Sequence, residues 1–282
     1  LNYLEMFEKI SEGKIKALYV FGEDPFITLP NLERLKNGLH HLEFLVVQDL
    51  FMTHIGGYAH VILPGASFAE KDGTFTNMER RVQRVRKGIS PLGDSRADWK
   101  IFCDLSTKMG YPMNYQDPSE IMGEIASVVP FYSGATYYNL EKGGIQWPLG
   151  NGIKKRLNPV EYREPIEKPD GQYPLWIIPR GFHYHYGIGT TNKRAEGLAK
   201  VFPDSSIELH PEDARKAGIV GGDKVKVISP RGEVETTCKI SGDLPEGVAY
   251  FATTFFPAFV NNLLTSGEQP EYKVFIGRVE KR

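Results

Sequence analysis

The sequence predicts two successive architectures, a doubly wound α/β domain followed by a mainly-β barrel. Three observations carry this reading. Over residues 4–62 short, uninterrupted apolar runs alternate with amphipathic stretches, as expected of a parallel sheet covered by helices on both faces. From Pro130 to Pro174 the pattern dissolves into Gly, Pro, Tyr and charged residues around Trp147-Pro148-Leu149-Gly150, and structureless connections of that length are uncommon inside one compact domain. Beyond Leu175 the character changes to β. The expected boundaries are 1–130 for the α/β domain, 131–174 for an extended linker and 175–282 for the barrel.

In chain order, the spacing of apolar positions predicts a helix near Tyr3–Ile10, a strand Ala17–Phe21, a helix Asn31–His41, then strands Phe44–Val47 and His60–Leu63. Two further helices, Ser95–Met109 and Ser119–Val128, complete the outer layer, the second opening with Pro118 and Ser119 just before its apolar positions. In the second half the expected strands are Leu175–Pro179, Ser206–His210, Lys224–Ser229, Glu233–Ile240 and Val248–Thr254, with one short helix, Pro211–Ala217. Ser229-Pro230-Arg231-Gly232, between two alternating runs, reads as a hairpin turn.

The 34 basic and 35 acidic residues nearly cancel, so no global cationic field serves nucleic acid or an anionic membrane, and any anion site is local. No apolar run approaches the roughly 20 residues needed to span a bilayer, and the start lacks a signal-peptide layout. A cytoplasmic location is expected, loosely, because the chain begins with Leu1 and its natural start is left open. Cys103 and Cys238 lie far apart in apolar segments and read as free core thiols. With no clustered cysteines the chain cannot by itself ligate an iron–sulfur cluster, and its seven histidines show no HExxH spacing.

Polar groups gather where strands end. The first strand runs into Gly22-Glu23-Asp24-Pro25 and the second into Gln48-Asp49, and in open α/β sheets the ligand crevice lies beyond the carboxyl ends of the strands. There an amide and a carboxylate could read the donor edge of a guanine. After Val61-Ile62-Leu63-Pro64 comes Lys71–Arg86, KDGTFTNMERRVQRVR, whose amides, hydroxyls and four arginines suit a large phosphorylated cofactor. On composition alone the same string is a turn followed by a solvated basic helix. No GxGxxG follows the first strand, which argues against a stand-alone nucleotide-binding module. In the second half His183 and His185, at i and i+2 on an extended segment, point the same way without a third metal ligand nearby in sequence.

Taken in order, these strings resemble the molybdopterin-dependent oxidoreductases of the DMSO reductase family, in particular the C-terminal portion of formate dehydrogenase catalytic (alpha) subunits. Lys71–Arg86 is similar to the family's EKDGTFTN-x-ERRVQ segment, Gly22-Glu23-Asp24-Pro25 to its G-E-N-P turn, and Val46–Thr53 to its V-x-Q-D-x-F-x-T segment. The string Arg180-Gly181-Phe182-His183-Tyr184-His185 is similar to G-R-x-x-x-H-Y-H, Ser206–Lys226 to the V-x-I-x-P-x-D-A-x-x-L-G-I-x-x-G-D-x-V signature, and Asn261–Thr265 with Pro270–Lys273 to N-x-L-T and P-E-Y-K. The chain departs from the pattern at Thr53-His54-Ile55 and Ala59-His60-Val61, where the family commonly has T-E-T and A-D-V, and at Pro179, which stands where the family has glycine. The segment between Thr265 and Pro270 is shorter than usual.

The resemblance implies a Rossmann-like domain followed by a double-psi β-barrel, together holding two molybdopterin guanine dinucleotides with molybdenum or tungsten. It implies cofactor-binding roles for Gly22, Asp24, Gln48, Asp49, Asp72, Thr74, Asn77, Arg80, Arg81, Arg180, His183, His185, Asn262, Tyr272 and Lys273. Within that set Arg80, Arg81 and Lys273 would neutralise pyrophosphate, Gln48-Asp49 would recognise guanine, and His183 and His185 would line the pterins. No residue of this chain is nominated as metal ligand or catalytic acid or base. The [4Fe-4S] cluster and the metal ligand are expected in an N-terminal half or partner subunit, with further electron-transfer subunits, and the implied reaction is two-electron formate–CO2 interconversion. Two alternatives stay open: a cofactor-free structural subunit, like the large iron–sulfur subunit of NADH dehydrogenase, and another family oxidoreductase such as nitrate reductase.

Overall fold

The computed structural model of the chain describes residues 1–29, 32–147, 159, 161–162, 164–165, 167–181, 189–201, 205–252, 263 and 274–282. Its first half contains α1 (Tyr3–Ser11), β1 (Ala17–Phe21), α2 (Pro25–Thr28), α3 (Leu32–Leu39), β2 (Phe44–Asp49), β3 (Val61–Pro64), β4 (Gly73–Thr76), β5 (Arg81–Val85), α4 (Asp98–Lys108), α5 (Pro118–Val128), α6 (Tyr137–Leu140) and β6 (Ile145–Gln146). The second contains β7 (Leu175–Arg180), α7 (Glu196–Val201), β8 (Ser206–Leu209), α8 (Pro211–Lys216), β9 (Lys224–Ser229), β10 (Gly232–Ile240), β11 (Val248–Ala252) and β12 (Phe275–Lys281). By contacts these form two units: Leu1–Lys16, Asp24–Glu43 and Tyr162–Arg282 make one, and Ala17–Glu23 with Phe44–Glu161 the other.

In the second of these units β1, β2 and β3 form a parallel sheet in that order, with Phe21 opposite Gln48 and Gln48 opposite Leu63. The carboxyl ends are therefore level, and the residues that follow them lie along one edge. α4 packs on this sheet through Phe102, whose ring meets Phe21 edge-on at 5.2 Å and Tyr19 at 5.8 Å. α5 starts where Asp117 accepts from the Ser119 amide at 2.7 Å, with Pro118 in the first turn.

The Lys71–Arg86 string forms no helix. It is an antiparallel hairpin, β4 against β5, with β6 added at Val82↔Ile145. β-Branched and aromatic residues at Thr74, Phe75, Thr76, Val82 and Val85 suit a pleated surface better than a helix. The turn closes where Asn77 Oδ1 accepts from the Arg81 amide at 3.0 Å. Behind it Val82, Met122, Ala135 and Leu140 make a small core. The start of the expected linker is thus folded, with a 3-10 turn at Pro130–Tyr132, α6 and β6, because Tyr132, Tyr137, Ile145 and Trp147 have apolar surface to bury on that core.

In the other unit, α1 begins with a capping box: Asn2 accepts from the Glu5 amide and Glu5 from the Asn2 amide, each at 2.9 Å. The six long strands of the second half close into a barrel in the order β10-β8-β11-β7-β12-β9. β8 runs parallel to β10 and β7 to β11, and the other pairings are antiparallel. Its core includes Ile177, Ile207, Val225, Val227, Cys238, Phe251 and Phe275. The Ser206–Lys226 string folds as its pattern requires, with His210 capping α8, Pro211 at its first position, and Gly218 and Gly222 at φ +65° and +94°. Of the α-helices and strands after Leu175, α7 and β12 were not expected, and β12 closes the barrel by pairing with both β7 and β9.

The β9–β10 turn also anchors distant chain. Arg231 donates in a fork to Glu167, Nη1 to Oε1 at 2.6 Å and Nη2 to Oε2 at 2.9 Å, while its Nε donates to the Leu263 carbonyl at 3.1 Å. Lysine cannot reproduce three coplanar donors. Arg231→Lys is expected to lower stability by about 1–2 kcal/mol, nearly as much as Arg231→Met, and thermal melts of the two variants check this.

Candidate cofactor site at the sheet's carboxyl edge

β1 ends in Gly22 at φ +61°, with open space where a Cβ would stand, and the Gly22 amide donates to the Gln48 carbonyl at 2.9 Å. The ends of β1 and β2 are thereby tied together with backbone left accessible. Asp24 does not face outward. It is 2% exposed and caps α2, accepting from the Phe26 amide at 3.3 Å.

Gln48 is likewise fully buried, so its amide requires internal partners. The Tyr19 hydroxyl donates to its Oε1, and its Nε2 donates to Asp98 Oδ1 at 2.8 Å. The other Asp98 oxygen pairs with Lys71. Both ends of the Gln48 carboxamide are thus engaged inside this unit. Burial first, then the Asp98 charge, raises the Tyr19 pKa. Asp49 folds its own turn, Oδ1 accepting from the Leu50 amide at 2.6 Å and the Phe51 amide at 3.2 Å. Thr53, in the loop that follows, has a buried hydroxyl with no hydrogen-bond partner among the described residues.

The hairpin divides its charges. Arg84, 14% exposed, sits 3.7 Å from the Tyr137 ring centroid and pairs with Glu141 at 2.7 Å and Asp72 at 3.6 Å; Arg86 also pairs with Glu141. Thr74 Oγ1 lies 3.6 Å from Met122 Sδ, and Asn77 closes the turn. Arg80 is exposed, adopts φ +62° and stands 5.7 Å from the Trp147 ring centroid, while the Trp147 amide donates to its carbonyl at 3.0 Å. Arg81 Nε is 3.9 Å from Glu79, itself strongly exposed. Asp72, Thr74, Asn77, Arg80 and Arg81 are therefore brought onto one hairpin, with charge presented to solvent at positions 80 and 81.

At the departure Ala59-His60-Val61 the structure supplies a reason. His60 Nδ1 accepts from the buried Leu45 amide at 3.0 Å, and the His60 amide donates to the Leu45 carbonyl at 2.8 Å. A carboxylate in this place could accept the same bond. His60→Leu is expected to cost about 1–2 kcal/mol by orphaning that amide, and His60→Asp much less, as measured by chemical denaturation.

In the barrel unit Arg180 stands 5.3 Å from the Tyr250 ring centroid and 3.8 Å from Glu208. His183, His185, Asn262, Tyr272 and Lys273 lie outside the described residues. Sequence reasoning did not single out Lys193, whose pKa is pushed down to about 8 by burial and, secondarily, by Arg194. It also missed the Lys71–Asp98 pair, since only the fold joins positions so far apart. Among the described residues no three His, Cys, Asp or Glu side chains are grouped to hold a metal ion, and no helix is long and apolar enough to cross a membrane.

Residues 1–108 match the family model described as molybdopterin oxidoreductase, and residues 175–275 match that of the molybdopterin dinucleotide binding domain. The chain belongs to the molybdopterin oxidoreductase family. Within it, the chain is similar to F420-dependent formate dehydrogenase 1 subunit alpha of Methanococcus maripaludis, 38% identical over 306 aligned residues that cover 100% of this chain and 45% of the relative. The corresponding subunit of Methanocaldococcus jannaschii is also 38% identical, with the same coverage. Probable oxidoreductase YjgC of Bacillus subtilis is 34% identical over 98% of this chain and 30% of its own length. This member of the family thus spans under half the length of these curated relatives. Among solved structures, acetylene hydratase from Pelobacter acetylenicus shares the fold, with a TM-score of 0.76 at 18% identity over 98% of this chain and 46% of that one.

Proposed function

We propose that this chain is the C-terminal, cofactor-holding part of a molybdenum or tungsten oxidoreductase that carries two molybdopterin guanine dinucleotides, and that the whole protein interconverts formate and carbon dioxide. The observation that carries the reading is that relatives named formate dehydrogenase alpha subunits match at 38% identity across the whole of this chain. In this reading the parallel sheet belongs to a Rossmann-like, doubly wound domain over 1–130, residues 131–174 lead out of it, and the closed barrel of 175–282 is of the double-psi kind.

The donor set fits such a cofactor. Arg80 offers an exposed and Arg81 a half-exposed guanidinium suited to pyrophosphate oxygens, and Gly22 offers backbone that a ligand can approach without meeting a side chain. Asp49 and Asn77 shape the turns beside them, Arg180 serves at the end of β7, and His183, His185, Asn262, Tyr272 and Lys273 complete the set. Gln48 belongs to the set through its hold on Asp98, and Asp24 through the start of α2 that it caps. When bound, the metal-bound pterins supply the two-electron chemistry. This chain's residues bind and orient them, and alone it is inactive. The [4Fe-4S] cluster and metal ligand belong to an N-terminal region or partner subunit, electrons leave through further subunits, and the protein is cytoplasmic. The acceptor role of His60 removes one ground for the cofactor-free reading.

The test is to purify the full-length protein from its source and measure metal, pterin and formate-dependent dye reduction. Stoichiometric molybdenum or tungsten with two pterins per polypeptide and formate oxidation is the expected result. Absence of metal and pterin from active complex returns the chain to the structural reading; cofactor without formate turnover overturns the substrate.

A further inference from the structure

We infer that Tyr19, Gln48, Asp98 and Lys71 form a polar strut that positions the root of the β4–β5 hairpin at the carboxyl edge of the parallel sheet, with Asp98 as its positioning residue. The four residues come from four places in one unit. Tyr19 lies in β1, Gln48 near the end of β2, Lys71 two residues before β4, and Asp98 at the first position of α4. Each bond fixes the next. The Tyr19 hydroxyl donates to Gln48 Oε1, so the carboxamide nitrogen must face Asp98. Asp98 then holds Gln48 with one oxygen and Lys71 with the other, at a helix N-terminus that favours its negative charge.

Charge decides the role. The Lys71–Asp98 pair is neutral and mostly buried, with side-chain exposures of 23% and 19%, so it adds no cation for a phosphate; the cations lie further along the hairpin at Arg80 and Arg81. What it supplies is distance and direction. Gly65 adds a constraint: a Cβ there would stand 2.9 Å from Asp98 Oδ1, and Gly65 bridges in parallel to Arg96, two residues before Asp98. The strut therefore gathers the end of β2, the residue after β3 and the hairpin root around a single carboxylate.

The purpose assigned to the strut, presenting Arg80 and Arg81 to the cofactor, rests on the function proposed above, while its geometry does not. In the full-length protein, Asp98→Asn keeps an acceptor for Gln48 but removes the charge that holds Lys71. Amide hydrogen exchange of Gly73–Thr76 and Arg81–Val85 is expected to accelerate at least tenfold with Leu45–Val47 unchanged, and pterin per folded polypeptide to fall more than fivefold. Gly65→Ala should reproduce this by displacing the carboxylate, and Lys71→Arg, which can still pair with Asp98, should retain wild-type exchange and pterin. Unchanged hairpin exchange in both Asp98→Asn and Gly65→Ala overturns the strut, as does acceleration of sheet and hairpin together, the sign of general loosening. A wild-type protein without pterin whose hairpin is nevertheless released by Asp98→Asn sustains the strut and defeats the cofactor reading.

Discussion

Replacing Arg80 with glycine is expected to leave the melting temperature unchanged or slightly raised while the pterin content of the full-length protein falls about tenfold or more. Arg80 occupies φ +62°, and it is the one non-glycine residue with positive φ among those described. That conformation costs an ordinary L-residue about 1–2 kcal/mol, against which the greater unfolded-state freedom of glycine offsets about 0.5–1 kcal/mol. The side chain returns little: it is exposed, lies 5.7 Å from the Trp147 ring and makes no ion pair among the described residues. Strain held without a packing return points to function, and a guanidinium hydrogen-bonded to a phosphate contributes about 1.5–3 kcal/mol, which is one to two factors of ten in retention. Paired thermal melts and pterin assays separate the two effects. A large drop in melting temperature, or pterin retained in full, would remove Arg80 from the site.

Gly277→Ala is expected to destabilise the barrel by about 3 kcal/mol, at the upper end of overpacking costs. Gly277 lies in β12, opposite Leu175 of β7, where a Cβ would stand 2.5 Å from Ile177 Cδ1 and 2.8 Å from the Ile228 carbonyl oxygen. The isoleucine tip can turn aside, but the carbonyl belongs to β9, which β12 must pair to close the barrel. For a protein of this size the melting temperature should drop by roughly 6–12 °C. Gly123→Ala supplies the contrast, since it lies within α5 with nothing inside 4 Å of the new methyl group. It should stabilise by about 0.5–1 kcal/mol through helix propensity. Equal effects of the two substitutions would mean that barrel closure does not depend on this close approach.

Those two glycines show where sequence reading stops. Both are single residues inside regular elements, one in a strand and one in a helix, and the space around each, which order along the chain does not reveal, sets the cost of an added methyl group. The strands β1, β2, β7, β9 and β10 were legible because their apolar runs are short and bounded by Gly, Pro or charged residues. α8 and its glycines were legible because cap, proline and αL residue follow a local grammar. β12 was not, since Phe275–Lys281 is a brief run with a central glycine, and its strand character comes from pairing with β7 and β9. The Lys71–Arg86 string illustrates the same limit: its charges suggested a solvated helix, whereas burial of Val82 on Met122 and Leu140 makes it a hairpin.

The candidate site divides along the same line. By itself the sequence determined which residue types crowd the strand ends, the family pattern they follow, and the absence of clustered cysteines, because each is a property of order along the chain. Only the tertiary structure decided which polar groups remain outward. Asp24 and Gln48 looked equivalent to Asp49 and Arg81 in sequence, but burial obliges an amide or carboxylate to find internal partners. Asp24 therefore caps a helix and Gln48 holds Asp98, while at the hairpin Arg80 stays exposed and Arg81 half-exposed.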